Sequence, residues 1–266
     1  MLRGARIAPV VVAVVCGLAF AAAAPAATLV GDYQMQGTRA SSGPGPDLTD
    51  VGTGANAFQN DTVMGSSRQV LAFPLGNGVR MSPAGLNGDS ATSVVTTFRF
   101  DAVNEYRKIL DYSGGVSDDG IYDKDGLASF FGTTEFVSSN PVFSPGTYAT
   151  IAITTKPIAT TKVYVNGTQV IGADETLLTA LDSLRFFVDD GTTGDEDSAG
   201  AVSCIRVFAG TLTDGEVGAI GASANCQPPS VPPAHSQATK KKCKKHKKHK
   251  RSAESAKKKC KKKKKR

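Results

Sequence analysis

Between residues 28 and 226 the chain runs as short apolar stretches separated by clusters of Gly, Asp, Ser and Asn. The stretches at 69–73, 93–100, 106–112, 127–131, 148–154, 162–165, 169–171, 184–188 and 199–208 are rich in β-branched and aromatic residues, and they read as strands. In 94–100 the period-two alternation puts Phe98 and Phe100 on one face and Arg99 on the other. A charge likewise interrupts the apolar run in Ile205-Arg206-Val207-Phe208. Asn166-Gly167, set between two such runs, supplies the positive-φ pair of a tight hairpin turn. One short helix is expected near the end. Thr213 and Glu216 have the spacing of a capping box, and Val217 and Ile220 follow on one helical face.

About ten short strands and one short helix predict an all-β fold, a two-sheet antiparallel jelly-roll sandwich. A parallel doubly wound sheet would need long helices between its strands, and the sequence has no such pattern. The chain has no Trp, so its core must rest on twelve Phe, six Tyr and the aliphatic residues.

The ends have a different composition. Arg3 and Arg6 precede an uncharged apolar run at 7–24, which leads into the small residues Ala24, Pro25 and Ala26. This is the layout of a secretory signal peptide at 1–27, cleaved to leave no transmembrane segment in the mature chain. A lipid-modified Cys16 is disfavoured, because Val14 and Val15 stand where that processing wants a small residue. Residues 227–239 form a Pro-rich, extended linker. Residues 240–266 hold eighteen of the thirty-one Lys and Arg against one acid, Glu254, for a formal charge of +17; 28–239 is left at −12. The body is therefore acidic and not a reader of duplex nucleic acid, while the tail is expected to be disordered in isolation.

Export places the cysteines in an oxidising compartment, which allows a Cys204–Cys226 disulfide that would staple the last segment to the body. Cys243 and Cys260 sit among lysines, which favours their thiolates. They could pair with each other or cross-link chains, or be incidental.

Several stretches, taken in order, resemble the concanavalin A-like lectin/glucanase superfamily, and within it the laminin-G-like modules of secreted bacterial proteins. They are 29–33, 93–100 followed by 106–111, 117–122, 163–167, 184–190, and 199–208 leading into Leu212-Thr213-Asp214-Gly215-Glu216-Val217. The resemblance covers most of 28–226. It implies a jelly roll, a tendency to bind carbohydrate or protein surfaces, and in some members one calcium ion.

Some members of that superfamily hydrolyse glycosides with carboxyls set as Glu-x-Asp-x-Glu on one strand. The body has five Glu (Glu105, Glu135, Glu175, Glu196 and Glu216), none in that spacing. The only His, His235, His246 and His249, lie in the linker and tail, so no Ser-His or Cys-His nucleophile system forms in the body. A non-catalytic binding module is expected. Calcium has two candidate loops. The first holds Asp189, Asp190 and Glu196, with Asp195 and Asp197; the second holds Asp111, Asp118 and Asp119. A hydrated acidic turn is the plain alternative for each.

In the tail, Lys257, Lys258, Lys259, Lys261 and Lys262 flank Cys260 and offer an anionic-surface contact. Each lysine near anionic lipid contributes about 1 kcal/mol within a Debye length. The expected partners are thus a glycan or surface protein for the body and envelope polymers or lipids for the tail. The expected location is secreted or cell-surface associated. A structural or adhesive envelope protein, assembling through charge and disulfides, is the alternative, and a glycoside hydrolase a weaker one.

Overall fold

The structure, a computed structural model, describes residues 26–82, 86, 91–156, 160–175, 183–190 and 196–229. The expected signal peptide up to residue 25, the expected linker beyond 229 and the tail with Lys257, Lys258, Lys259, Lys261 and Lys262 lie outside the described residues. So does Asp195.

Fifteen strands and one short helix are found among the described residues. In order they are β1 (Thr28–Tyr33), β2 (Thr49–Val51), β3 (Ala57–Val63), β4 (Ser66–Phe73), β5 (Gly78–Met81), β6 (Thr92–Phe100), β7 (Tyr106–Asp111) and β8 (Gly120–Lys124). Then come β9 (Leu127–Phe131), β10 (Glu135–Val137), β11 (Ala149–Thr155), β12 (Thr161–Val165), β13 (Thr168–Ala173), β14 (Leu184–Phe186), β15 (Gly200–Ala209) and α1 (Asp214–Ile220).

They form two antiparallel sheets, as the strand pattern predicts. The eight-stranded sheet runs β13-β12-β11-β6-β15-β4-β3, and β1 pairs with β15 as well. Strand β15 is long enough to serve two neighbours on one side. Its residues Gly200 to Val202 pair with β4 and Ile205 to Ala209 with β1. The seven-stranded sheet runs β10-β9-β8-β7-β14-β5-β2.

The core lies between the sheets. Phe73, Phe98 and Phe100 from one sheet meet Phe130, Phe186 and Phe187 from the other side. Phe73 and Phe187 stack with centroids 4.7 Å apart. Burying each such side chain contributes about 1.5–3 kcal/mol, so the rings replace the missing Trp. Phe98 and Phe100 are buried and Arg99 is half-exposed, in keeping with the alternation.

Elsewhere in β6 the alternation fails, because both faces are covered. A second apolar cluster on the far side of this sheet joins Val95, Ala152, Tyr164, Cys204 and Phe208 to Leu212, Val217, Ile220 and Cys226. Helix α1 and the segment after it therefore form a third layer. Thr213 caps α1 through the expected reciprocal box with Glu216, and Cys204 and Cys226 are disulfide-bonded with Cα atoms 6.0 Å apart.

The strand reading needs two corrections. The run at 184–188 is a strand only to Phe186, because Phe187 turns into the core at φ 67°. Five strands beyond about ten are present. Some were invisible for physical reasons: β3 is a mostly exposed polar strand at a sheet edge, and β2 and β10 have three residues each.

Candidate functional site

The candidate functional face is built on the seven-stranded sheet, on the side away from the core. Register places Tyr106 opposite Lys124, Lys108 opposite Tyr122 and Tyr122 opposite Ser129. Because side chains alternate along a strand, these residues share one face while Ile121, Ala128 and Phe130 point to the core. Tyr106 and Tyr122 pack edge to face at 5.6 Å. Lys124 Nζ lies 4.7 Å from the Tyr106 ring and donates to Glu135 at 2.8 and 2.9 Å. Tyr106 Oη and Ser129 Oγ each donate to Glu135 Oε1 at 2.9 Å. Lys124 holds the Glu135 carboxyl below its ordinary range, against partial burial, and Glu135 in turn raises Lys124. Tyr106, Lys124 and Glu135 are half-buried and reach the surface. They form a preorganised aromatic, cationic and anionic strip.

The other half of this face is covered by two loops. Lys108 is completely buried. Its Nζ donates to the Asp118 carbonyl at 3.1 Å and to Tyr122 Oη, and lies 3.1 Å from Asp189 Oδ1 as a charge contact outside hydrogen-bond alignment. Tyr122 Oη donates to the Asp118 carbonyl at 2.7 Å. Carboxylate oxygens of Asp118, Asp189 and Asp190 lie within 4.8 Å of one another. Glu196 stands beside them. Burial, followed by the charges of Asp189 and Asp118, pushes its carboxyl above the ordinary range.

The loops are held by backbone contacts. The Lys108 N–H donates to the Glu196 carbonyl at 2.8 Å, which ties the first loop to β7. Asp189 N–H donates to Asp197 Oδ1 at 2.8 Å, and Arg185 Nη2 donates to the Asp189 carbonyl at 2.9 Å. In the second loop Gly115 has φ 82°, and a Cβ there would fall 1.4 Å from Arg185 Nη1, so only glycine fits without moving the arginine.

The two acidic loops read as separate candidates in the sequence are thus one cluster. Asp118 of one joins Asp189 and Asp190 of the other, with Glu196 at the side. Asp111 and Asp119 turn elsewhere: Asp111 accepts from Ser113 and Asp119 from Ser117. Asp197 is occupied by the Asp189 backbone, and burial foremost raises its pKa. Sequence spacing could not have joined Asp118 to Asp189, since only the β7–β14 pairing brings their loops together. Lys108 gave no signal beyond its place in a strand.

The donor set fits a hard divalent cation. Calcium takes six to eight oxygens, and mixed carboxylates and carbonyls suit it. Asp189 Oδ2 and Glu196 Oε2 are buried and accept no hydrogen bond. Asp118, Asp189, Asp190 and Glu196 would hold the ion, which would supply charge neutralisation and join the two loops.

A groove of about 400 Å³ is lined by Leu75, Asp101, Glu105, Arg107, Asp197 and Ser198, and none of Tyr106, Lys124 and Glu135 lines it. A second recess, about 430 Å³, adjoins it at Asp101 and Ala102 and reaches Asn104, Asp125 and Pro145. Volumes of this order suit small ligands or a sugar unit or two. Glu105 borders the groove and Asp125 the second recess; they precede Tyr106 and follow Lys124 in the chain. Each donates a backbone N–H to the other residue, at 2.8 Å to Asp125 Oδ1 and 3.0 Å to the Glu105 carbonyl. A further recess of about 430 Å³ lies on the eight-stranded sheet, between Thr154, Lys162 and the start of α1.

No protein-family model matches the chain, and no curated protein is similar to it in sequence. Solved structures do share its fold. Domain 4 of AbnA, an extracellular GH43 arabinanase of Geobacillus stearothermophilus solved in complex with arabinotriose, superposes with TM-score 0.58 at 15% identity, over 72% of this chain and 97% of that domain. The binding domain of Paraclostridial Mosquitocidal Protein 1 matches with TM-score 0.53 at 14% identity, over 72% of this chain and 51% of the other. The receptor-binding domain of a botulinum neurotoxin C/D mosaic serotype gives 0.52 and 12%, over 72% and 50%. The chain thus spans about half the length of the two toxin domains. Among the described residues no helix is long and apolar enough to cross a membrane.

Proposed function

We propose that the chain is a secreted, non-catalytic binding module of the concanavalin A-like, laminin-G-like type, which recognises a glycan with the outer face of its seven-stranded sheet. The observation that carries the reading is the strip of Tyr106, Lys124 and Glu135, locked by mutual hydrogen bonds and reaching the surface. A tyrosine ring offers a flat apolar face for a sugar ring, and the charged neighbours offer donors and acceptors for hydroxyls at little entropic cost. A fold shared with an arabinanase domain solved with arabinotriose supports this choice of ligand class. A surface protein is the other partner such a face would suit.

The same fold carries hydrolases, but a hydrolytic nucleophile must reach a sugar ring. Asp189, at the centre of the acidic cluster, is buried against Lys108, which argues for binding without bond cleavage. Calcium is the cofactor proposed for Asp118, Asp189, Asp190 and Glu196. The tail, through Lys257, Lys258, Lys259, Lys261 and Lys262 and their neighbours, is proposed to hold the protein at the cell envelope on anionic polymers or lipids.

The test is a glycan array probed with the full chain and with Tyr106→Ala. Binding that falls at least tenfold in the variant, with an unchanged melting temperature, supports the reading. Equal binding by both proteins, or none by the wild type, refutes it. Cell fractionation with and without residues 240–266 tests the tail.

A further inference from the structure

Lys108 stands where a polar strand residue would ordinarily reach water, yet none of it is exposed. A lysine is almost never fully buried unless its charge is compensated. Its ammonium is enclosed by the Asp189 carboxylate, the Asp118 carbonyl and Tyr122 Oη, with the Tyr122 ring 4.1 Å away. The Asp118 carbonyl and Tyr122 Oη accept its hydrogen bonds, and the Asp189 carboxylate supplies the opposite charge. The arrangement resembles a coordination sphere: one cation, ringed by a carboxylate, a carbonyl and a hydroxyl, drawn from β7, β8 and two loops. The balance is nevertheless incomplete. Asp118, Asp189, Asp190 and Glu196 carry four carboxyls about this one ammonium.

We propose that Lys108 is the cluster's built-in cation, a covalently attached substitute for a metal ion that pins both acidic loops to β7 without metal and keeps the affinity for divalent cations low. The strand supplies a charge that never dissociates. Any divalent ion entering among Asp118, Asp189 and Asp190 must do so beside a like charge buried with it, where screening is weak. Lys108 therefore sets the metal affinity of the site, and its removal turns a metal-independent cluster into a metal-dependent one. The inference shares residues with the calcium reading but does not require the wild type to bind calcium.

The experiment compares the full chain with Lys108→Met, stripped with EDTA and then titrated with calcium chloride by calorimetry, with melting followed in both states. The wild type is expected to melt within a degree or two in EDTA and in calcium. Lys108→Met is expected to lose stability in EDTA, recover it in millimolar calcium, and bind calcium at least tenfold more tightly than the wild type. Adding Asp190→Asn should reverse that gain. If Lys108→Met does not fold in EDTA, refolding in calcium gives the same answer, since recovery supports the proposal and failure in both overturns it. A folded Lys108→Met protein that binds calcium no better than the wild type also overturns it. A wild type without calcium binding beside a variant with it defeats the calcium reading alone and leaves this one standing.

Discussion

Lys108 Nζ and Asp189 Oδ1 face each other at 3.1 Å, with the two side chains 0% and 2% exposed. Such a pair adds little net stability over apolar residues of the same shape, but removing one partner strands the other charge in a poor solvent, at about 3–5 kcal/mol. Asp189→Ala should therefore lie near the lower end of that range, about 3 kcal/mol, because the Asp118 and Asp190 carboxylates, within 4.8 Å of that of Asp189, remain in the cluster. The double variant Lys108→Met/Asp189→Ala should lose less than the two single variants together, and less than Asp189→Ala alone. Urea unfolding of the four proteins in the cycle measures this, and a double variant as weak as the sum of its parts would contradict it.

The disulfide links β15 to the segment after α1 and closes a sequence separation of 22 residues. Constraining a loop of that size in the unfolded chain contributes about 3 kcal/mol. Both sulfurs lie in the cluster with Val217 and Ile220, so the bond also holds the third layer in place. Cys204→Ala/Cys226→Ala should lower the melting temperature by about 10 °C, seen by calorimetry. A drop under about 2 °C would mean that packing alone retains the layer.

Legibility in the sequence followed local chemistry. Strands such as Leu127–Phe131, with dense apolar content, read almost to the residue, as did the capping box at Thr213 and Glu216. The Asn166-Gly167 turn has both residues at positive φ, as its composition demands. Asp125-Gly126 makes an equivalent turn between β8 and β9 and carries nearly as strong a signal. Met64-Gly65 does the same between β3 and β4, and methionine gives no warning of it. The candidate site was half legible. Asp189, Asp190 and Glu196 stand out as acids close in sequence. Their joining to Asp118 and Lys108 depends on which strands pair and which face a lysine takes, and periodicity carries neither. Strand β3 failed for a different reason: an edge strand facing water has no core to write an apolar pattern into it.

Helix α1 has only seven residues, too short to persist without its cap and its packing. Thr213 Oγ1 accepts from the Glu216 N–H at 3.2 Å, and Glu216 Oε2 accepts from the Thr213 N–H at 2.8 Å. Thr213→Ala should cost about 1 kcal/mol. Amide exchange would show where: protection should fall at Val217 and Gly221, whose N–H groups bond within this turn, while β6 and β11 keep theirs. Uniform loss across the sheets would show that the helix is not a separate layer.

Asp123 on β8 supplies a pH test. It is fully buried; Oδ1 accepts from the Gly126 N–H at 2.7 Å, while Oδ2 accepts no hydrogen bond. Burial pushes its pKa to about 7, against the opposing pull of the Gly126 N–H and the Arg107 charge. An unfolded aspartate titrates near ~3.9. Between these values the native state binds more protons than the unfolded one, so stability falls as pH rises from about 4 to about 7 and levels off above. The carboxylate is thus a cost at neutral pH, one the turn at Asp125-Gly126 tolerates for the sake of its hydrogen bond. Asp123→Asn keeps an acceptor for Gly126 and removes the charge. Its melting temperature should match the wild type at about pH 4 and below, pull ahead as pH rises, and exceed it by a constant margin above about pH 7. Glu196 and Asp197, also raised by burial, add a slope of the same sign to both proteins, so the difference between the curves isolates Asp123. Parallel curves from pH 4 to 8 would show that the carboxyl is already ionised throughout, with Arg107 outweighing burial.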